Sequence, residues 1–216
     1  MNEQLLQLMS CFNTIEHDEL TLEMKEYAQK HDVPIIQDEG LELMLQLLRI
    51  KNPNSILEIG SAIGYSSLMM ARHLPQCNIV TIERDDARYM DAVNYHNRST
   101  ISDQVDLIKA DALEINNDEL PIQKYDVIFI DAAKAQYQKF FEKYEGLLKD
   151  DGMIISDNLL FHGFVLEQEQ IESRNLRQLV RKINRYNHWL ANHPDYNTLL
   201  LPMGDGVAIS LKRQTK

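Results

Sequence analysis

Ser55-Ile56-Leu57-Glu58-Ile59-Gly60-Ser61-Ala62-Ile63-Gly64-Tyr65-Ser66 decides the fold. A short apolar run, Ile56 to Ile59, ends at the first of two glycines, and an amphipathic run from Ser66 to His73 follows. That order reads as strand, tight turn and helix. Glycine at the turn lets backbone approach a ligand closely, and the helix start offers unpaired N–H groups to an anion. Gly60 and Glu83 lie about 23 positions apart, close to the roughly 20-residue spacing at which a nucleotide-binding fold places an acid on a ribose. The glycines are spaced Glu58-x-Gly60-x-x-x-Gly64, which departs from the G-x-G-x-x-G of a dinucleotide site. A turn without a ligand would be the plainer reading of this stretch alone.

Outward from that turn, strands and helices alternate. Strands are expected at Ser55–Ile59, Asn78–Glu83, Val105–Ala110, Tyr125–Asp131 and Met153–Asp157, and helices at Ser66–His73, Asp86–Asn97 and Ala135–Leu148. Such alternation implies a doubly wound α/β sheet, and strands rich in Ile and Val fit burial on both faces. A long helix is expected from about Gln168 to Ala191. Tyr196–Leu201 and Val207–Lys212 follow, joined by Pro202-Met203-Gly204-Asp205-Gly206. A link this short cannot make a parallel crossover, so the two pair as a hairpin and set one antiparallel strand in a mostly parallel sheet.

Before the core, residues 2–50 read as helices. Leu5, Leu6, Met9 and Phe12 recur at helical spacing, Asp18–His31 forms a second helix, and Asp38 caps a third over Gly40–Arg49. Pro34 holds Val33 extended between them. The expectation is a single domain over 1–216, with an N-terminal helical cap over 1–50 and a Rossmann-like core over 51–216.

Composition narrows the class. The chain has 216 residues, 44% hydrophobic and 25% charged, with a formal net charge of −11; that is ordinary for a soluble globular domain, and its sum argues against nucleic-acid binding unless a local basic face exists. Cys11 and Cys77 stand far apart, so no disulfide framework or C-x-x-C pair is present and a reducing cytoplasm fits best. The start lacks the basic n-region of a secretory signal, and no apolar run approaches the roughly 18 residues of a membrane span.

Ligands of a doubly wound sheet sit beyond the carboxyl ends of the strands. Those ends here carry Glu58, Glu83, Asp111, Asp131 and Asp157 with Asn158. One such acid is best read as a helix cap; five in succession point to a ligand that needs them, because gathered carboxylates raise one another's pKa. Glu83 is placed to accept ribose hydroxyls, and Asp111 with Ala112 lies beside an adenine. Asp131, Asp157 and Asn158 offer hard oxygen donors suited to Mg²⁺ or Ca²⁺, not Zn²⁺. Lys134, three residues after Asp131, is a candidate general base, although a lone surface lysine would be the commoner case.

With these residues together, the chain resembles the cation-dependent O-methyltransferase family, which includes catechol and caffeoyl-coenzyme A O-methyltransferases, over roughly residues 30 to 213. The stretch Glu58-Ile59-Gly60-Ser61-Ala62-Ile63-Gly64-Tyr65-Ser66 is similar to the glycine loop, motif I, of S-adenosylmethionine-dependent methyltransferases. The resemblance implies that Glu58, Gly60, Ala62, Gly64 and Ser66 form the cofactor loop, with Ser66 on the methionine carboxylate. It also implies that Ile35 or Ile36 covers the methionine part, Glu83 holds the ribose, and Asp111 and Ala112 flank the adenine. Asp131, Asp157 and Asn158 would hold the metal, with Lys134 and Asp131 catalytic. The implied fold is a seven-stranded sheet with a reversed final hairpin, and a homodimer is implied.

Within the family, Val33-Pro34-Ile35, Leu48-Arg49-Ile50-Lys51, Asp131-Ala132-Ala133-Lys134 with Tyr137, and the run Pro202–Ser210 resemble the bacterial branch that methylates 5-hydroxyuridine at the wobble position of tRNA. Arg174, Arg177, Arg181 and Arg185, with Lys182 beside them, fall at helical spacing and form a candidate tRNA stripe; a solvated or partner-facing helix is an equal reading. Leu159–Leu166 is a candidate substrate lid or interface. Rival expectations are a small-molecule catechol-type enzyme, a non-catalytic cofactor-binding interaction protein, and a polyamine synthase, in which Asp157-Asn158 would have no task.

Overall fold

The computed structural model describes residues 8, 11, 12, 15–166, 169 and 171–214. Among these, β1 (Ser55–Ile59), β2 (Asn78–Glu83), β3 (Val105–Lys109), β4 (Tyr125–Ile130), β5 (Leu148–Ser156), β6 (Tyr196–Leu201) and β7 (Val207–Lys212) form one sheet in the order β3-β2-β1-β4-β5-β7-β6. β1 pairs in parallel with β2 and β4, β2 with β3, and β4 with β5. β7 runs antiparallel to both β5 and β6. The expected architecture is therefore present, and the strand order reverses between β1 and β4, which is where such a sheet opens a crevice.

Side-chain alternation divides the core in two. Ile56, Val127, Phe129 and Ile155 face one layer of helices, while Leu57, Ile59, Ile128 and Ile130 face the other. Every residue of β1 and β4 is buried; each such Ile or Leu taken from water is worth about 1.5–3 kcal/mol. The first layer contains α1 (Glu19–Lys30), α2 (Asp38–Lys51), α3 (Tyr65–His73) and α4 (Asp86–Asn97); Met24, Met44, Leu48 and Leu68 are among its fully buried members. The second contains α5 (Tyr137–Tyr144) and α6 (Arg174–Ala191), with Phe141, Tyr144, Tyr186 and Leu190.

Several boundaries differ from expectation. Gln37, not Asp38, is the N-cap residue of α2; Asp38 lies in its first turn, 2.7 Å from Lys25 Nζ on α1. The helix expected over 135–148 is α5 flanked by 3₁₀ turns at Lys134–Gln136 and Glu145–Leu147. β5 begins five residues early, at Leu148, because Lys149 pairs with Asp126 of β4 at 2.9 Å and Lys212 of β7 donates to the Leu148 carbonyl at 3.0 Å. α6 starts at Arg174, where Ser173 caps it by accepting the Leu176 N–H. The expected helix over residues 2–12 and the expected start near Gln168 fall largely outside the described residues. Among the described residues no helix is long and apolar enough to cross a membrane.

Candidate active site

The loop after β1 is fastened to its neighbours by main-chain bonds. Gly60 N–H donates to the Ile82 carbonyl at 2.9 Å, Ser61 N–H to the same oxygen at 3.3 Å, and Ala62 N–H to Glu83 Oε2 at 2.9 Å. Gly60 has φ +94°, and a Cβ there would overlap the Asp131 carbonyl and reach Ala132 Cα at 3.0 Å. Glycine is what allows the loops after β1 and β4 to touch. Gly64, φ +80°, opens α3; a side chain there would meet His96 Nε2 at 2.6 Å.

These loops bound a cavity of about 410 Å³, within the roughly 300–1,000 Å³ of small-molecule sites. Ile35, Ile36, Gly60, Ala62, Ser66, Glu83, Asp111, Ala112, Asp131 and Lys134, all singled out in the sequence, line it. Glu83 uses one carboxylate oxygen on Ala62 N–H and the other on Asp85 N–H, at 2.9 and 2.8 Å. Each oxygen keeps a lone pair for a further donor. Asp111 accepts the Leu113 N–H at 2.8 Å and lies 3.5 Å from Arg84 Nη1, so it both caps a turn and faces the cavity.

Glu58 and Gly64 do not line the cavity. Glu58 shares the face of Ile56, is fully buried, and accepts from Ser66 Oγ and from Thr81 Oγ1, the latter at 2.5 Å. Burial pushes its pKa up to about 7, against the opposing pull of those two hydroxyls. It fastens the loop from beneath, and it takes the Ser66 hydroxyl with it. Ser66 therefore meets the cavity with that hydroxyl committed, leaving main-chain N–H groups at the start of α3 as the free donors.

Asp131, Asp157 and Asn158 converge. Asn158 Nδ2 is 3.2 Å from Asp131 Oδ1 and 3.1 Å from Asp157 Oδ2. Asp157 is 2% exposed, and its Oδ1 has no partner among the described residues. Burial, together with the neighbouring Asp131 charge, raises the Asp157 carboxyl well above the usual range, and burial raises Asp131 too. Asp205, from the β6–β7 turn, adds to both. Asn158 adopts φ +65°, a conformation in which asparagine is among the least strained residues. The buried Asp157 with its orphaned oxygen and the half-buried Asp131 form a pair of acids that a cation would neutralise. Among the described residues no three His, Cys, Asp or Glu side chains gather as a metal site; the third donor here is an amide, and the set suits a hard divalent ion.

Lys134 opens a 3₁₀ turn after β4, and its Nζ stands 5.3 Å from the centre of the Phe161 ring. Its charge acts on Asp131 and Asp157. Phe161 and Phe164 pack with Leu176, Leu179, Val180 and Ile183 of α6, and Leu179 reaches the cavity. Leu159–Leu166 thus lies between Lys134 and α6.

The basic stripe is three arginines, not four. Arg174, Arg181 and Arg185 are exposed along α6 with Lys182. Arg177 is half-buried and spends its guanidinium on the Ile171 carbonyl, through Nε at 3.1 Å and Nη2. Spacing alone does not reveal such a partner upstream of the helix.

Sequence reasoning missed Tyr65, Arg84, Arg88 and Gln136, all of which line the cavity. Tyr65 and Tyr137 are buried with hydroxyls lacking partners among the described residues. Tyr137 stands in the field of Asp131 and Asp157, which with burial pushes its hydroxyl pKa upward. A tyrosine directly after the second loop glycine was the available signal for Tyr65.

The model of the O-methyltransferase family matches residues 12–213. A flavonoid 3′,5′-methyltransferase of Vitis vinifera is 31% identical over 206 residues, covering 90% of this chain and 86% of its own. A caffeoyl-CoA O-methyltransferase of Populus kitakamiensis is 30% identical, covering 86% and 80%. Among solved structures, a Staphylococcus aureus protein named for caffeoyl-CoA O-methyltransferase shares 40% identity with a TM-score of 0.88 over 98% of both chains. A Podospora anserina methyltransferase with S-adenosylhomocysteine bound has the same fold, with a TM-score of 0.85 at 23% identity over 99% of this chain and 97% of its own. The loop, the cavity and the acid cluster thus sit on a frame shared with these proteins, and the chain belongs to the O-methyltransferase family.

Proposed function

We propose that this chain transfers the methyl group of S-adenosylmethionine to a hydroxyl lying beside a second oxygen, with a divalent cation, Mg²⁺ foremost, on Asp131, Asp157 and Asn158. The acceptor we propose is 5-hydroxyuridine at the wobble position of tRNA. One observation carries the reading: Asp131 belongs to both halves of the site. It lines the cavity and receives the Asn158 amide at 3.2 Å, so donor and cation would share one rim.

S-adenosylmethionine supplies an activated sulfonium methyl. Glu83 receives the ribose hydroxyls on its remaining lone pairs, Asp111 and Ala112 border the adenine, and Ile35 and Ile36 wall the methionine end. The N–H groups at the start of α3 meet the carboxylate. A divalent cation held by the triad would neutralise the two acids and make the acceptor hydroxyl a better acid. Lys134, in its neutral form, takes the hydroxyl proton at Nζ. Tyr65 and Ile36 exclude water from the donor side, and fixing both reactants in line contributes several kcal/mol of the acceleration.

The acceptor choice is supported by the likeness to the tRNA-methylating branch and by the exposed Arg174, Arg181, Lys182 and Arg185 of α6, a helix whose other side packs the loop that meets Lys134. A second reading, a small catechol-type acceptor, is favoured by the names of the Vitis and Populus relatives. The two share the same pair of adjacent oxygens. The test is methyl transfer to an anticodon stem-loop carrying 5-hydroxyuridine and, in parallel, to caffeate, read by mass spectrometry. We expect the stem-loop to be methylated with the higher kcat/KM; efficient transfer to caffeate with none to the stem-loop would assign the small-molecule reading.

A further inference from the structure

The loop that follows Asn158 is built in an unusual way. Phe161, His162 and Gly163 have φ of +46°, +54° and +81° in succession, and two of the three pay a steric cost for it. Such conformations persist only where the surroundings enforce them. The enforcement comes from the turn between β6 and β7. Leu159 N–H donates to the Gly206 carbonyl at 2.9 Å, and Leu160 and Phe161 N–H to the Asp205 carbonyl at 2.7 and 3.3 Å. His162 N–H donates to Asp205 Oδ1 at 3.3 Å, and His162 Nδ1 lies 3.0 Å from the same oxygen. The Asp205 side chain is only 11% exposed, whereas His162 is 58% exposed. The fit is close: a Cβ on Gly206 would meet Leu160 N at 2.8 Å. One carboxylate and two carbonyls therefore hold four consecutive amides and an imidazole, and the next thing they position is the Phe161 ring over Lys134.

We infer that Asp205 is a positioning residue for the acceptor: through His162 it latches the loop after β5 in its left-handed form and so sets Phe161 against Lys134. This rests on the proposed function, in that the acceptor enters at Lys134. The His162 imidazole is committed to the latch. The reversed β7 strand gains a task as well, since it brings the turn carrying Asp205 beside the end of β5.

The test compares wild type with Asp205→Ala, Asp205→Asn and His162→Ala in three measurements. Hydrogen exchange at the amides of residues 159–162 reads the latch without any acceptor. S-adenosylhomocysteine binding without metal, by calorimetry, reads the donor side. Steady-state kinetics with the acceptor that wild type methylates reads the consequence. Asp205→Ala should speed exchange at 159–162, raise acceptor KM about tenfold and leave the Kd of S-adenosylhomocysteine within about twofold. Asp205→Asn, which still accepts the His162 amide, should recover most of that KM. His162→Ala, which changes an exposed side chain and keeps the fold, should raise KM about threefold. The latch is overturned if exchange at 159–162 is unchanged in Asp205→Ala and His162→Ala, or if donor Kd rises by the same factor as acceptor KM. A wild type that methylates neither acceptor while exchange still responds would instead count against the proposed function.

Discussion

Glu58 is the residue whose chemistry is easiest to isolate. Its carboxyl is raised from 4.5 to about 7 by burial. Between those values the folded chain binds a proton that the unfolded chain releases. Its contribution to stability is complete below pH 4.5 and is lost as pH rises through about 7. The difference amounts to roughly 3 kcal/mol. Glu58→Gln keeps the shape and removes the titration. It should be more stable relative to wild type at pH 8 than at pH 5, by urea unfolding at both values; an equal difference at the two pH values would contradict the assignment. That Glu83, Asp131 and Asp157 stand at the ends of β2, β4 and β5 was legible in the sequence, because apolar runs there stop at acids. Their division of labour was only partly so. Glu58 turns away from the cavity because Ser66 and Thr81, from two other elements, supply its hydrogen bonds.

At the scale of elements, the strands were legible because β1 and β4 are mostly apolar and are buried throughout. The start of β5 was not. Lys149, Asp150 and Asp151 look like a turn, and cross-strand contacts, from Lys149 to Asp126 and from Lys212 to the Leu148 carbonyl, make them strand. α6 was legible as amphipathic: Val180, Ile183, Tyr186 and Leu190 face the core. Its opposite side carries Arg174, Arg181, Lys182 and Arg185, exposed on a chain of net charge −11. Phosphate contacts on such a stripe are lost with charge and with salt. Arg181→Glu with Arg185→Glu should cut kcat/KM for the 5-hydroxyuridine stem-loop by about tenfold or more and leave that for the free nucleoside unchanged. Equal losses on both substrates would remove the stripe from the tRNA contact. Arg177 is left out of this pair because the Ile171 carbonyl holds it.

For the whole molecule, the sheet order sets everything else. Reversal between β1 and β4 opens the cavity; Gly60 lets the two loops meet there; β5 ends alongside and brings Asp157 and Asn158 to Asp131. The antiparallel β7 then returns the chain so that Asp205 reaches the loop beyond Asn158. A cation on Asp131, Asp157 and Asn158, next to the donor cavity, is the claim on which the proposed chemistry stands. Titration calorimetry with Mn²⁺ in place of Mg²⁺, in the presence of S-adenosylhomocysteine, tests it most directly when wild type is set against Asp157→Ala. We expect one ion per wild-type chain, an affinity lower by about a hundredfold in the variant, and S-adenosylhomocysteine bound by both. Mn²⁺ bound equally well by wild type and Asp157→Ala, or full methyl transfer by wild type in excess chelator, would contradict it.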